Sequence, residues 1–161
     1  MRRIVARLTI ATATVLLAGS LFAAEPLAGT WKLNIAKSKF GGANKPPKEE
    51  TLVLQEQGDN LVQIVKGIAA DGSPISYRTT VSRIGGEVKA LEGAPPAGTS
   101  RVVSKRKADS NILDSTTMRD GKVIQTLHAV SIEDGKTMRV NIKRTDAQGR
   151  SSEDVILYDK Q

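Results

Sequence analysis

Gly29-Thr30-Trp31-Lys32-Leu33-Asn34 is the stretch whose reading decides the fold. It holds the one tryptophan of the 161-residue chain. Apolar and polar residues alternate through it: Trp31, Leu33 and Ile35 on one side, Lys32 and Asn34 on the other. A period of two is the pattern of a half-buried strand. A large ring on a strand's apolar face is ordinarily core, so Trp31 is expected to pack inside rather than touch a ligand.

The rest of the chain repeats the theme. After a loop over 36–48, with two Gly and two Pro and at most one helical turn at 36–40, short alternating runs follow each other. They cover 51–57, 61–68, 74–81, 87–91, 99–107, 112–119, 122–132, 136–145 and 153–160. Gly58-Asp59-Asn60, Asp71-Gly72, Gly85-Gly86, Asp120-Gly121 and Asp134-Gly135 punctuate them. Asp-Gly pairs supply the positive φ angles of hairpin turns. Turn signals spaced roughly 8–14 residues apart are the mark of an all-β barrel or sandwich. Sequential hairpins make a meander, and curling it shut removes exposed edges. The expected fold is one up-and-down antiparallel β-barrel of about 8–10 strands. The 29–34 strand is then expected to pair with the 153–160 strand. An immunoglobulin-like sandwich is the alternative, weakened by the missing cysteine pair.

Gly-x-Trp opening a run of antiparallel strands resembles the calycin superfamily, which includes lipocalins and fatty-acid-binding proteins. Gly29-Thr30-Trp31-Lys32-Leu33 is similar to the first strand of the fatty-acid-binding branch, and Val155-Ile156-Leu157-Tyr158-Asp159-Lys160 to its last. With Ala36-Lys37-Ser38-Lys39-Phe40 added, the opening resembles a family of small secreted bacterial lipocalin-like proteins. The resemblance implies a barrel with Gly29 and Trp31 at one end and an arginine packed over the tryptophan. Arg144 is the candidate, because it extends the row Met138, Val140, Ile142 on one strand face. The loop Gly41-Gly42-Ala43-Asn44-Lys45-Pro46-Pro47 stands where the fatty-acid-binding branch has a helical lid, and its Gly and Pro exclude two helices.

Residues 1–24 read as a signal peptide, with Arg2, Arg3 and Arg7 before an apolar stretch and a small-residue exit. The apolar run is short for a span. The expectation is therefore an exported domain over 25–161, periplasmic or secreted, with no stable membrane anchor after cleavage. There is no cysteine, which excludes disulfides, thiol catalysis and thiolate metal sites. The formal charge of +7 falls to +4 without the signal, since 21 basic residues then face 17 acidic ones. With aromatics at 3% and no basic patch, nucleic acid is not an expected partner.

No catalytic constellation, cofactor motif or metal signature stands out. Asp59, Asp71, Asp109, Asp120, Asp134 and Asp146 all fall in expected turns, which explains them without chemistry. The one histidine, His128, lies on a strand both of whose faces are partly apolar, so alternation does not choose its side. A single imidazole is neither a metal site nor a triad. Three residues are candidate ligand contacts: His128, Tyr77 on the Ile75/Thr79/Val81 face, and Arg106. Arg106 shares a face with Val102 and Ser104, and the opposite choice would bury Lys105 and Lys107. An inward arginine could take a ligand carboxylate, as the resemblance suggests.

Three functions compete. The first is an exported barrel binding a small apolar or amphipathic molecule. The second is a filled barrel that meets protein partners, with the Gly93-Ala94-Pro95-Pro96-Ala97-Gly98 loop as the candidate contact. The third is a barrel-mouth isomerase, which needs His128 in the lumen beside an acid. A cavity above about 300 Å³ separates the first from the second.

Overall fold

A computed structural model describes residues 27–42, 45–86, 88–93, 101–105 and 111–161, with only the backbone for 90–91 and 101–105. Residues 1–24, expected to be a signal peptide, and Arg106 lie outside the described residues.

Ten strands follow one another: β1 (Gly29–Leu33), β2 (Glu49–Gln57), β3 (Asn60–Ile68), β4 (Pro74–Ser82), β5 (Lys89–Glu92), β6 (Arg101–Lys105), β7 (Ile112–Arg119), β8 (Lys122–Ile132), β9 (Thr137–Thr145) and β10 (Ser151–Lys160). They form one antiparallel sheet in the order β5-β4-β3-β2-β1-β10-β9-β8-β7-β6. This is the expected meander. The expected pairing of the first and last strands is present, with Trp31 opposite Lys160 and Leu33 opposite Tyr158. That pairing lies mid-sheet, so the seam of the barrel falls instead between β5 and β6. The sheet curls far enough to bring β4 and β6 near each other.

Turn chemistry sets the registers. Asp120 and Gly121, at φ 50° and 74°, make a two-residue connection between β7 and β8. Two positive φ values are what a hairpin turn needs to match strand twist. Asp71 accepts from the Ser73 N–H at 2.9 Å, and Asp146 from the N–H groups of Gln148 and Arg150 at 2.9 and 2.8 Å. These aspartates shape loops, as the sequence indicates.

Alternate residues of β1–β4 and β7–β10 turn inward. Leu52, Leu54, Leu61, Val65 and Val81 line one wall, and Ala129, Met138, Val140, Ile142, Ile156 and Tyr158 the other. Trp31 belongs to the same core cluster. It is fully buried and its Nε1 donates to the Leu27 carbonyl at 2.9 Å. The cation over its ring is Lys160, with Nζ 5.0 Å from the centroid. Arg144 does not take that place, a correction with a simple cause: the β1–β10 register sets Lys160 directly opposite Trp31, whereas Arg144 sits at the far end of β9, opposite Ser152. Gly29 makes the arrangement feasible. Its φ is 136°, and a Cβ there would stand 2.7 Å from Lys160 Cε.

Ile35 leaves the Trp31 row. β1 stops at Leu33, and Ile35 is exposed in a turn that Asn34 caps, its Oδ1 accepting from the Lys37 N–H at 3.0 Å. The segment over 36–40 is therefore a turn rather than helix. Lys39 then exchanges both backbone hydrogen bonds with Val155, which lays the chain across β10 before it returns to β2.

Candidate ligand cavity

The curled sheet encloses a cavity of about 1520 Å³. It extends from Leu27 to a mouth lined by Gly42, Lys45, Asp120 and Ala147. Its walls are chiefly aliphatic, because the medium-sized side chains that alternate inward are too short to meet across the lumen. Polar side chains share the lining, among them Gln63, Ser115, Thr117 and Arg119, and two of its polar sets are built around a carboxylate.

The first joins Glu50, Tyr77 and Tyr158. Glu50 is the first inward residue of β2. It lies one step beyond the Lys32–Thr51 pair, so it flanks Leu33 on one side as Tyr158 flanks it on the other. The Tyr158 hydroxyl donates to Glu50 Oε1 at 2.5 Å, bridging β10 to β2 over β1. Tyr77 stands on β4 across Val65, and Glu50 sits opposite Gly67, which leaves no side chain between them. Burial pushes the Glu50 carboxyl above its ordinary value, and the Tyr158 hydrogen bond partly opposes this. Burial, followed by the nearby Glu50 charge, raises both phenols, so Tyr77 and Tyr158 are neutral in the physiological range. One inward position further along β4, Thr79 is buried and its hydroxyl has no hydrogen-bond partner among the described residues.

The second group is an ion pair with its surroundings complete. Arg144 Nη1 donates to Asp154 Oδ2, and its Nε donates to Gln125 Oε1 at 3.0 Å. Asp154 is buried, and its other oxygen accepts from the Gly41 N–H at 2.7 Å. Four segments are thereby fastened together: β8, β9, β10 and the turn that leads over the mouth. Arg144 is inward, as its row indicates, but its charge is spent on Asp154.

The three candidate ligand contacts part company. Tyr77 faces the cavity. Arg106 lies outside the described residues. His128 faces away, which corrects its placement as a ligand contact. Leu127 and Ala129 line the lumen, and His128 between them lies on the outer surface, its Nδ1 2.6 Å from Asp114 Oδ1, with both side chains about half exposed. The physical cause is packing: Ala129 sits opposite Leu113 and Val140 on the apolar face, which forces its neighbour outward. Glu50 and Tyr158 are the cavity residues that sequence reasoning passed over. Glu50 carried a usable signal, since counting back by two from Leu54 and Leu52 reaches it. Among the described residues no three His, Asp or Glu side chains gather as metal ligands would.

No family model matches this chain, and no curated protein matches it. Among solved structures it is similar to a siderocalin, Ex-FABP, described as functioning through dual ligand specificities, at 12% identity over 84% of this chain and 71% of that one, with a TM-score of 0.42. It is similar also to EF1p2_mFAP2b, solved bound to DFHBI, at 13% identity over 86% of this chain and 97% of that one, again with a TM-score of 0.42. Likeness at this level passes no residue role from either protein to this chain.

Proposed function

We propose that this chain is an exported barrel that holds a small apolar or amphipathic molecule in its lumen. The observation that carries the proposal is the cavity. At about 1520 Å³ it exceeds the roughly 300–1000 Å³ of ordinary small-molecule sites. Its lining combines aliphatic walls with converging polar groups, as binding sites do. A filled barrel would have no such space, which weighs against the protein-interaction alternative. The isomerase reading requires His128 in the lumen, and His128 is outside with Asp114. Export rests on the Arg-rich start and short apolar run over 1–24.

Native mass spectrometry on protein purified gently from its exported form tests the binding function. The expected result is a retained small molecule, or one acquired on incubation with apolar probes. A clean apo mass that stays unchanged with fatty acids, fatty amines, fatty alcohols, retinoids and haem would refute it. N-terminal sequencing of the exported fraction is expected to begin near Glu25; recovery of an intact Met1 chain from the cytoplasm alone would refute export.

A further inference from the structure

We infer that Glu50, Tyr77 and Tyr158 form an ammonium-binding subsite, and that the lumen's ligand is an apolar amine. The inference rests on the lumen being a binding site and names what it selects. Its ground is the accounting of charge inside the cavity. The inward arginine, Arg144, already has a carboxylate and an amide as partners. Arg150, at the mouth, is held by Asp146 at 2.6 Å. Lys45, Arg119 and Lys122 line the rim but are exposed, where solvent and salt screen them over a distance of ~8–10 Å. Glu50 is the reverse case. Among the described residues no cation pairs with it, and a phenol hydroxyl occupies one of the roughly four acceptor positions a carboxylate offers.

The groups around Glu50 complete the argument. β1 contributes Leu33, β3 contributes Val65 and Gly67, and β4 contributes Ile75 beside Tyr77; none brings positive charge. The two phenol rings stand on either side of Glu50, from β4 and from β10. Aromatic faces attract cations, most strongly where water is displaced. A carboxylate taken partly out of water without a counter-ion is unfavourable, and its raised protonation is the consequence. An ammonium against Glu50 supplies the missing charge, while an attached hydrocarbon fills the aliphatic lumen. A fatty carboxylate placed there would set two like charges together.

Isothermal titration with dodecylamine, dodecanol and dodecanoate, each below its critical micelle concentration at pH 7.5, tests the inference. Dodecylamine is expected to bind about tenfold or more tighter than dodecanol, the size of one charge-assisted contact. Glu50→Gln is expected to remove that preference and leave dodecanol within about twofold. Tyr77→Leu, which deletes one ring and keeps the charge, is expected to weaken the amine roughly three- to tenfold. Dodecanol or dodecanoate binding as tightly as the amine, or an amine preference that survives Glu50→Gln, would overturn the inference while the lumen remains a binding site. Binding of none of the three would overturn the amine inference as well; retinoids and haem, tried in the same titration, then separate the two failures, because their binding would preserve the lumen reading.

Discussion

Replacing Trp31 by alanine removes the largest fully buried side chain among the described residues. The ring is fully buried, so its deletion belongs with core aromatic truncations, which cost about 3–5 kcal/mol. The Nε1 hydrogen bond to Leu27 adds about 1 kcal/mol, and the Lys160 ammonium 5.0 Å from the ring about 0.5–1 kcal/mol. These terms overlap, so a loss of about 4–5 kcal/mol is expected, against a total of roughly 5–15 kcal/mol for a domain. Urea unfolding followed by far-UV circular dichroism reads it. With a slope of about 2 kcal/mol per molar, the midpoint should fall by about 2 M. Trp31→Phe keeps most of the ring and loses the N–H, and should lower the midpoint by about 0.5–1 M. Lys160→Met should cost about half a molar or less. A Trp31→Ala midpoint within about 0.5 M of the wild type would refute the reasoning.

Three further outcomes are expected. Glu50 has a folded-state pKa above its ordinary 4.5, so its protonated form favours folding at low pH and that contribution is lost as pH rises through the raised value. Glu50→Gln should therefore gain stability relative to the wild type as pH goes from 4 to 7; a difference in urea midpoint that stays flat over that window would count against burial as the cause. Arg144→Ala leaves the Asp154 carboxylate buried without its cation, and breaking such a pair costs about 3–5 kcal/mol. Hydrogen exchange at the Gly41 amide should quicken in step, and unchanged protection there would show that Asp154 does not hold the mouth turn. Gly29→Ala places a Cβ against Lys160 at a φ of 136°, so a loss above about 1 kcal/mol is expected, and an unchanged melting temperature would contradict it.

The strand count and most faces were legible because their signals are local. Met138, Val140, Ile142 and Arg144 share a face by simple alternation, as do Ile75, Tyr77, Thr79 and Val81, and the structure turns both rows inward. The strand of His128 lacked that clarity: Ile124 and Val130 on its row rival Val123, Leu127 and Ala129 on the other. The contest was decided by Val140 and Leu113, on the neighbouring strands. Lys160 over Trp31 was hidden for a related reason, since a cross-strand register between the first and the last strand in sequence is a tertiary fact. Glu50 was missed because Glu49-Glu50 after Pro46-Pro47 reads as loop, although hydrogen bonding carries β2 two residues further back. The cavity itself follows from how far the sheet curls, which no local pattern encodes.

The β1–β10 pairing has a kinetic consequence. Asn34 and Asp159 meet across 125 residues of sequence, whereas every other neighbouring pair in the sheet is joined by a single connection. Hairpins can zip as soon as both arms exist, but β1 must wait for β10 before its second edge is covered. Contacts of such long separation are slow to form, because loop entropy is lost before they contribute. Until then the Trp31 ring lacks the lysine that caps it, and the lumen has no complete wall. The environment of Trp31 is therefore incomplete until β10 has been made and has docked on β1. Stopped-flow fluorescence of Trp31 would time that last closure.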